Sequence, residues 1–262
     1  MLENLAFDGR GGMLLSRQGI TQLGSLDRLT PDGNVQTLAS DIDAPGGIAV
    51  QGRTAYVTVG NSPTAAVLGT RDGTVDSVNL DTGARHTVAT GLTMPNGLAI
   101  LPDGNLVVSR NTGQAGLSLI RTTDPSPIPY AVQGPTTNGL ALDHTGRWLY
   151  TDTSFDSTTQ LLAIDTHNPS SPPRSWAIPG AGPLNIADDL TADDAGNVYV
   201  ALNLAGEVVR VDTISDATCV VARGLVGISS VRIGDGTGWD PTALYTTGFD
   251  GTVHRLDRPV GR

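Results

Sequence analysis

The sequence predicts a six-bladed, all-β propeller with four-stranded antiparallel blades around a central channel. Three observations carry that reading. First, six segments share one pattern: a short apolar strand, an Asp/Gly-rich turn, then a second apolar strand. Second, these segments start at Glu3, Gly46, Asn96, Asn138, Asp188 and Ser229, at spacings of 43, 50, 42, 50 and 41 residues. A period of roughly 40–50 residues with several strands per unit is a propeller signature. Third, 33 of the 262 residues are glycine, and glycine inside a helix costs about 1 kcal/mol relative to alanine. No convincing amphipathic helix is visible. The repeat runs along the whole chain, so residues 1–262 are expected to form a single domain.

The units follow in order. Their first two strands read ENLAFDGRGGMLLS, GGIAVQGRTAYVTV, NGLAILPDGNLVVS, NGLALDHTGRWLYT, DDLTADDAGNVYVA and SSVRIGDGTGWDPTALYT. Third strands are expected at 24–29, 73–80, 116–121, 160–165, 206–212 and 251–257. Their polar/apolar alternation is strongest in the last two, as in half-buried antiparallel strands. Fourth strands are expected at 35–40, 86–91, 129–134, 174–179 and 219–224, and Gly, Pro and Asp-Gly pairs punctuate the junctions. After GTVHRLD only RPVGR follows, which leaves the sixth unit without a fourth strand. Because the chain starts on an inner strand, an N-terminal strand is expected to have been removed or to lie outside this sequence. The loop THNPSSPPRS (166–175) reads as a surface excursion within one blade.

Charge excludes several functions. All 16 basic residues are arginine, against 24 aspartates and 2 glutamates, for a net charge of −10. Nucleic-acid binding needs clustered basic residues to neutralise phosphates, and a basic membrane-surface patch needs the same. Without lysine there is neither Schiff-base chemistry nor a P-loop. The single cysteine, Cys219, excludes an internal disulfide and a multi-cysteine metal site, and it reads as a small apolar filler on an outer strand. No apolar run approaches the ~18 residues of a membrane span. The expected partner is a small-molecule substrate, with no nucleic acid and no membrane. The compartment stays open between cytoplasmic and secreted without a leader, and so does the oligomeric state.

Inner strands of a propeller converge on the channel, so their equivalent first residues form a ring. Here that ring is Glu3, Gly46, Asn96, Asn138, Asp188 and Ser229. Two carboxylates and two amides make an oxygen donor set that suits a divalent cation, Ca²⁺ above others. Neither histidine nor cysteine occupies a ring position, which argues against zinc. Asn-Gly is also a common turn pair, so Asn96-Gly97 and Asn138-Gly139 could serve only to shape loops. Both nevertheless precede the same apolar strand pattern, and Glu3 is one of only two glutamates. Asp189, next to Asp188, is a further ligand or supporting group.

The segments LENLAFD, MPNGLAILPDGNLVVS, TNGLALDHTGRWLYTD and IADDLTADDAGNVYVA resemble the gluconolactonase, senescence-marker and luciferin-regenerating-enzyme family. Diisopropylfluorophosphatase and paraoxonase are its more distant relatives. The resemblance covers nearly the whole chain. It implies a six-bladed propeller with a catalytic divalent metal, usually calcium, in the channel. It implies Glu3, Asn138 and Asp188 as metal ligands, with Asn96 either a fourth ligand or a substrate contact. The chain departs from the family where Ala187-Asp188-Asp189 stands in place of Pro-Asp-Gly, which leaves open which aspartate binds the metal. A likeness to strictosidine synthase-like propellers is weaker, because no glutamate is placed for that chemistry.

Second-strand ends return to the face that carries the ring, joined there by the connections between blades. That rim includes Arg17, Asn61, Arg110, Asn111, Asp152, Phe155, Asn203 and Phe249. Arg110 is suited to a carboxylate or carbonyl, or is simply a solvated loop residue. Asn96, Arg110, Asn111, Phe155 and Phe249 are the candidate substrate contacts. His86, His144, His167 and His254 fall away from the ring, so Asp188 and Asp189 are the candidate catalytic carboxylates, with a metal-activated water. The expected activity is metal-dependent hydrolysis of lactones or related esters. Phosphotriester hydrolysis, a cyclisation or isomerisation, and a non-catalytic ligand-binding propeller with structural calcium are the alternatives, because a fold alone does not choose a function.

Overall fold

In a computed structural model of the chain, residues 1–19, 23–110, 112 and 115–258 are described. They form six antiparallel sheets whose strands follow one another in chain order. The innermost strands are Leu2–Phe7, Ile48–Gln51, Pro95–Ile100, Thr137–Leu142, Ala187–Ala192 and Ile228–Ile233. Second strands are Met13–Arg17, Thr54–Val59, Leu106–Arg110, Trp148–Thr153, Asn197–Leu202 and Ala243–Gly248. Third strands are Gly24–Leu29, Gly73–Asn79, Gly116–Arg121, Gln160–Asp165, Glu207–Asp212 and Val253–Asp257. Outer strands are Val35–Ile42, Arg85–Leu92, Asp124–Gln133, Arg174–Ala177 and Thr218–Arg223. Among the described residues the sixth sheet has three strands. The six-bladed architecture expected from the repeat is the one observed, with five blades of four strands.

The hydrophobic core is divided into six clusters, one at each interface between neighbouring blades. Successive residues serve opposite interfaces. Leu5, Met13 and Leu15 pack toward blade six, while Ala6, Leu14 and Leu26 pack toward blade two. Strands covered on both faces read as continuous apolar runs, which is why the alternation in the sequence is weak along the inner strands.

The ring closes between blades six and one through side chains. Phe7, Trp239 and Tyr245 pack with ring centroids 5.2–5.5 Å apart, and the Trp239 indole donates to the Gly11 carbonyl at 3.1 Å. Hydroxyls stitch the inner strands together. Ser16 donates to the Gly46 carbonyl at 2.7 Å, Thr58 to Asn96 at 2.8 Å and Ser154 to Ala187 at 2.6 Å. Ser109 donates to the Asn138 carbonyl. Ser229 links blade six to blade one on the Leu2 carbonyl at 2.6 Å.

Two departures from the expected elements have local causes. A helix, Pro63–Leu68, follows the second strand of blade two. Its signals are present in the sequence: Ser62 caps the Ala65 N–H, Pro63 opens the first turn, and Gly69 stops it at φ 63°. Six residues are too few to show helical periodicity. Cys219 is exposed on its outer strand rather than filling a core.

Candidate functional site

Five of the six inner strands carry a β-bulge at the position where the repeat places the ring. Their pairing slips at Leu2/Asn4, between Pro95 and Leu98, at Thr137/Leu140, at Ala187/Leu190 and at Ile228/Ser230. The residues carried on these bulges are Glu3, Asn96, Asn138, Asp188 and Ser229. A bulge adds one residue opposite its partner strand and re-aims the side chain. Backbone groups left unpaired at the bulge need partners, and residues of the second strand supply them. Ser109 accepts from the Gly97 N–H at 2.7 Å, and Asp152 accepts from the Gly139 N–H at 3.0 Å.

The glycines after the ring residues have a packing role. A Cβ on Gly97 would lie 2.3 Å from the Asn138 carbonyl oxygen, and one on Gly139 would lie 2.7 Å from the Asp189 Cα. The Asn-Gly pairs therefore sit on inner strands that approach one another closely; they are not tight turns.

Glu3, Asn96, Asn138 and Asp188 are all buried, each less than 8% exposed. The Asn138 amide donates to Asp188 Oδ1 at 3.1 Å, to Ser154 at 2.9 Å and to the Ala187 carbonyl at 3.2 Å. Asn61 donates to Glu3 Oε1 at 2.8 Å, and Asn203 donates to Asp188 Oδ2 at 3.2 Å. Sequence reasoning placed Asn61 and Asn203 on the rim but did not assign them this role as donors to the carboxylates. The Asn96 side chain has no hydrogen-bond partner among the described residues; the Asn96 main-chain carbonyl accepts from the Gly47 N–H and from Thr58.

Burial dominates the electrostatics. It pushes the Glu3 carboxyl up to about 7, partly offset by the Asn61 hydrogen bond and reinforced by the charge of Asp189. Burial also holds Asp188 well above the usual carboxylate range, followed by the charges of Glu3, Asp152 and Asp189. Two buried carboxyls that resist ionisation are kept neutral by a proton, or ionised by a positive charge nearby. The carbonyl oxygens Asn138 Oδ1 and Asn61 Oδ1 are buried without partners. Oxygen donors of this kind fit a hard divalent cation. Among the described residues no three His, Cys, Asp or Glu side chains form a metal-holding cluster, so any cation here would depend on the amide oxygens as well.

Asp189 has other company. Its Oδ2 accepts from Asn4 at 2.9 Å, and also from Ser230 and Arg232. Asp152, fully buried, is pushed up to about 8 by burial and then by Asp189.

The other expected contacts stand at the mouth. Phe155 and Phe249 are exposed by 46% and 39%. Arg110 ends the second strand of blade three, with its Nε buried and unpartnered. Burial and then Arg71 lower its guanidinium pKa. Asn111 lies outside the described residues. All four histidines are exposed. A surface depression of about 480 Å³, lined by Arg174, Trp176, Asp216 and Thr218, lies between the outer strands of blades four and five.

No protein-family model matches this sequence, and no curated protein matches it significantly. Solved structures do resemble it. A gluconolactonase from Xanthomonas campestris aligns with a TM-score of 0.70 at 14% identity, over 98% of this chain and 86% of that one. Regucalcin from Agrobacterium tumefaciens, a calcium-binding protein, aligns with a TM-score of 0.69 at 15% identity, over 98% and 89%. A nidogen/laminin complex contains a chain that aligns with a TM-score of 0.65 at 19% identity, over 83% and 78%. At these identities the likeness establishes a shared propeller fold.

Proposed function

We propose that this protein is a metal-dependent hydrolase of lactones or related esters, with a divalent cation, Ca²⁺ above others, at the mouth of the channel. The observation that carries the reading is the convergence of Glu3, Asn138 and Asp188 from three blades. It leaves two charge-strained carboxylates beside amide oxygens that lack partners. Likeness to gluconolactonase and regucalcin propellers supports the same direction at the level of fold.

Glu3, Asn138 and Asp188 would hold the cation, with Asn96 as a fourth ligand or a substrate contact. Bound there, a dication supplies positive charge that polarises a carbonyl oxygen and acidifies water. Asn61 and Asn203 hold the carboxylates of Glu3 and Asp188 in place through one N–H each. Such outer partners commonly set ligand orientation and affinity. The Asp188 carboxylate would accept the proton released as water adds to the substrate carbonyl carbon, and would return it to the ring oxygen as the C–O bond breaks. Asp189 is the second candidate for that proton: Asn4, Ser230 and Arg232 occupy its Oδ2, and its buried Oδ1 has no partner. At the rim, Arg110 receives the carboxylate produced when the ring opens, while Phe155 and Phe249 line the approach.

The test is turnover of a panel of small lactones and aryl esters by calcium-loaded protein, repeated with chelator. Calcium-dependent hydrolysis that chelator abolishes and added calcium restores is the expected result. A protein that binds calcium but hydrolyses nothing in the panel would be assigned a binding role instead. Protein with no bound cation and no thermal shift on adding calcium would remove the metal reading altogether.

A further inference from the structure

We propose that the substrate of this site carries an apolar chain, and that this chain lies across the mouth over blades four, five and six. The polar head of that substrate rests on the hydrolase reading above; the tail rests on a separate observation. Ten large hydrophobic side chains are exposed among the described residues, and all but Val35 and Ile214 stand on the mouth face. Single exposed apolar side chains need no explanation, but a concentration at one rim marks a binding surface.

Five of them form an arc. Phe155 and Leu204 follow the second strands of blades four and five, and Phe249 follows that of blade six. Leu184 and Val226 lie in the connections between those blades. The loops that bear them are tied in sequence by hydrogen bonds. Thr159 Oγ1 donates to the Gly182 carbonyl at 2.9 Å, and the Leu204 N–H to Asn185 at 3.3 Å. The Gly227 N–H donates to Asn203 at 2.9 Å, and the Phe249 N–H to Gly227 at 2.8 Å. Loops held together in this way present one surface. That surface runs into the ring, because Asn203, next to Leu204, donates its amide to Asp188. The other half of the mouth is mixed, with Arg17 and Arg110 beside Leu23, Val67 and Leu68.

A buried polar centre flanked on one side by an apolar arc is matched by an amphiphile: a lactone or ester head with an alkyl or acyl chain. A sugar lactone, hydroxylated all round, would lose water from its hydroxyls wherever it met the apolar side chains of this arc. An alkyl chain loses nothing and removes apolar surface from water on both sides. A lipid bilayer is a less suitable occupant. The chain carries a net charge of −10 and no lysine, which opposes adsorption to anionic membranes.

The experiment titrates a series of γ-lactams into the wild-type protein with calcium, followed by calorimetry. The lactams carry 5-alkyl chains from methyl to octyl and are unhydrolysable counterparts of lactones. Affinity is expected to rise about two- to fourfold per added methylene over the first several carbons. The slope should flatten in the double variant Phe155→Ser/Phe249→Ser, with its fold verified by thermal melting. A flat series in the wild type, or a slope unchanged in the double variant, overturns the proposal. Binding to phosphatidylcholine vesicles together with a flat lactam series would also overturn it, in favour of a lipid surface. Lactone turnover separates the two readings. A protein that hydrolyses no lactone yet shows the lactam slope loses the hydrolase assignment and keeps the apolar tail. One that hydrolyses short lactones but gives a flat series keeps the first and loses the second.

Discussion

Replacing Glu3 with glutamine should stabilise the protein without calcium and give it little or no advantage with calcium. Burial raises the Glu3 carboxyl from its ordinary 4.5 to about 7. A carboxyl whose folded pKa is raised binds more protons folded than unfolded. Between pH 4.5 and 7 its contribution to stability therefore falls as pH rises, and above pH 7 the full cost is present. That cost is about 3 kcal/mol at ~1.4 kcal/mol per unit. Glu3→Gln keeps the size and the Oε1 acceptor for Asn61 and removes the charge. At pH 8 without calcium the variant should melt higher. For 262 residues, at an unfolding entropy of ~2.1 cal/mol/K per residue, the gain is about 5 °C. At pH 4 the two proteins should melt together. Calcium at about a hundred times its dissociation constant stabilises the wild type by about 2.7 kcal/mol. The variant, with one fewer ligand charge, should gain little, so its advantage should largely disappear. Glu207→Gln is the control, because that carboxylate only meets Arg223 Nε at 2.9 Å on the surface; it should shift stability by no more than about 0.5 kcal/mol. Differential scanning calorimetry at the two pH values, with chelator and with calcium, reads all of this. A variant that melts lower than wild type at pH 8 without calcium, or that gains as much from calcium, would remove Glu3 from the site.

Three further outcomes are expected. Asn61→Ala removes the donor to Glu3 Oε1, so calcium affinity should fall about 10- to 100-fold by calorimetry, whereas an unchanged affinity would detach Asn61 from the ring. Asp152, pushed up to about 8, should make stability fall as pH rises from about 4 to 8. Asp152→Asn, which keeps an acceptor for the Gly139 N–H, should flatten that slope by up to about 1.4 kcal/mol per pH unit in urea titrations across the range. Changing His86, His144, His167 and His254 to glutamine one at a time should leave hydrolysis within a few-fold of wild type, because all four are exposed and the buried carboxyls are the proposed proton acceptors. A loss of about 100-fold in any folded variant, the low end of a general-base contribution, would overturn the carboxylate assignment.

The sequence determined the architecture because its information is local and repeated six times. A strand, an Asp/Gly turn and a returning strand can be read within 14 residues in most units, and their spacing sets the number of blades. Equivalence of the repeats also made Glu3, Asn96, Asn138 and Asp188 legible as one set, since equal positions on six radial strands must meet at the axis. Folding decided what depends on contacts between blades. Asn61 reaches Glu3 across 58 residues, and Asn4 reaches Asp189 across 185. No spacing rule encodes such pairs, because they are created only when the ring closes. The bulges under the ring residues, and the division between Asp188 at the channel mouth and Asp189 against Arg232, follow from register between neighbouring strands. A bulge costs nothing visible in composition. The two-sided burial that hid the alternation of the inner strands has the same origin: each blade is sandwiched between two others, so nearly every inner-strand side chain finds an apolar neighbour whichever way it points.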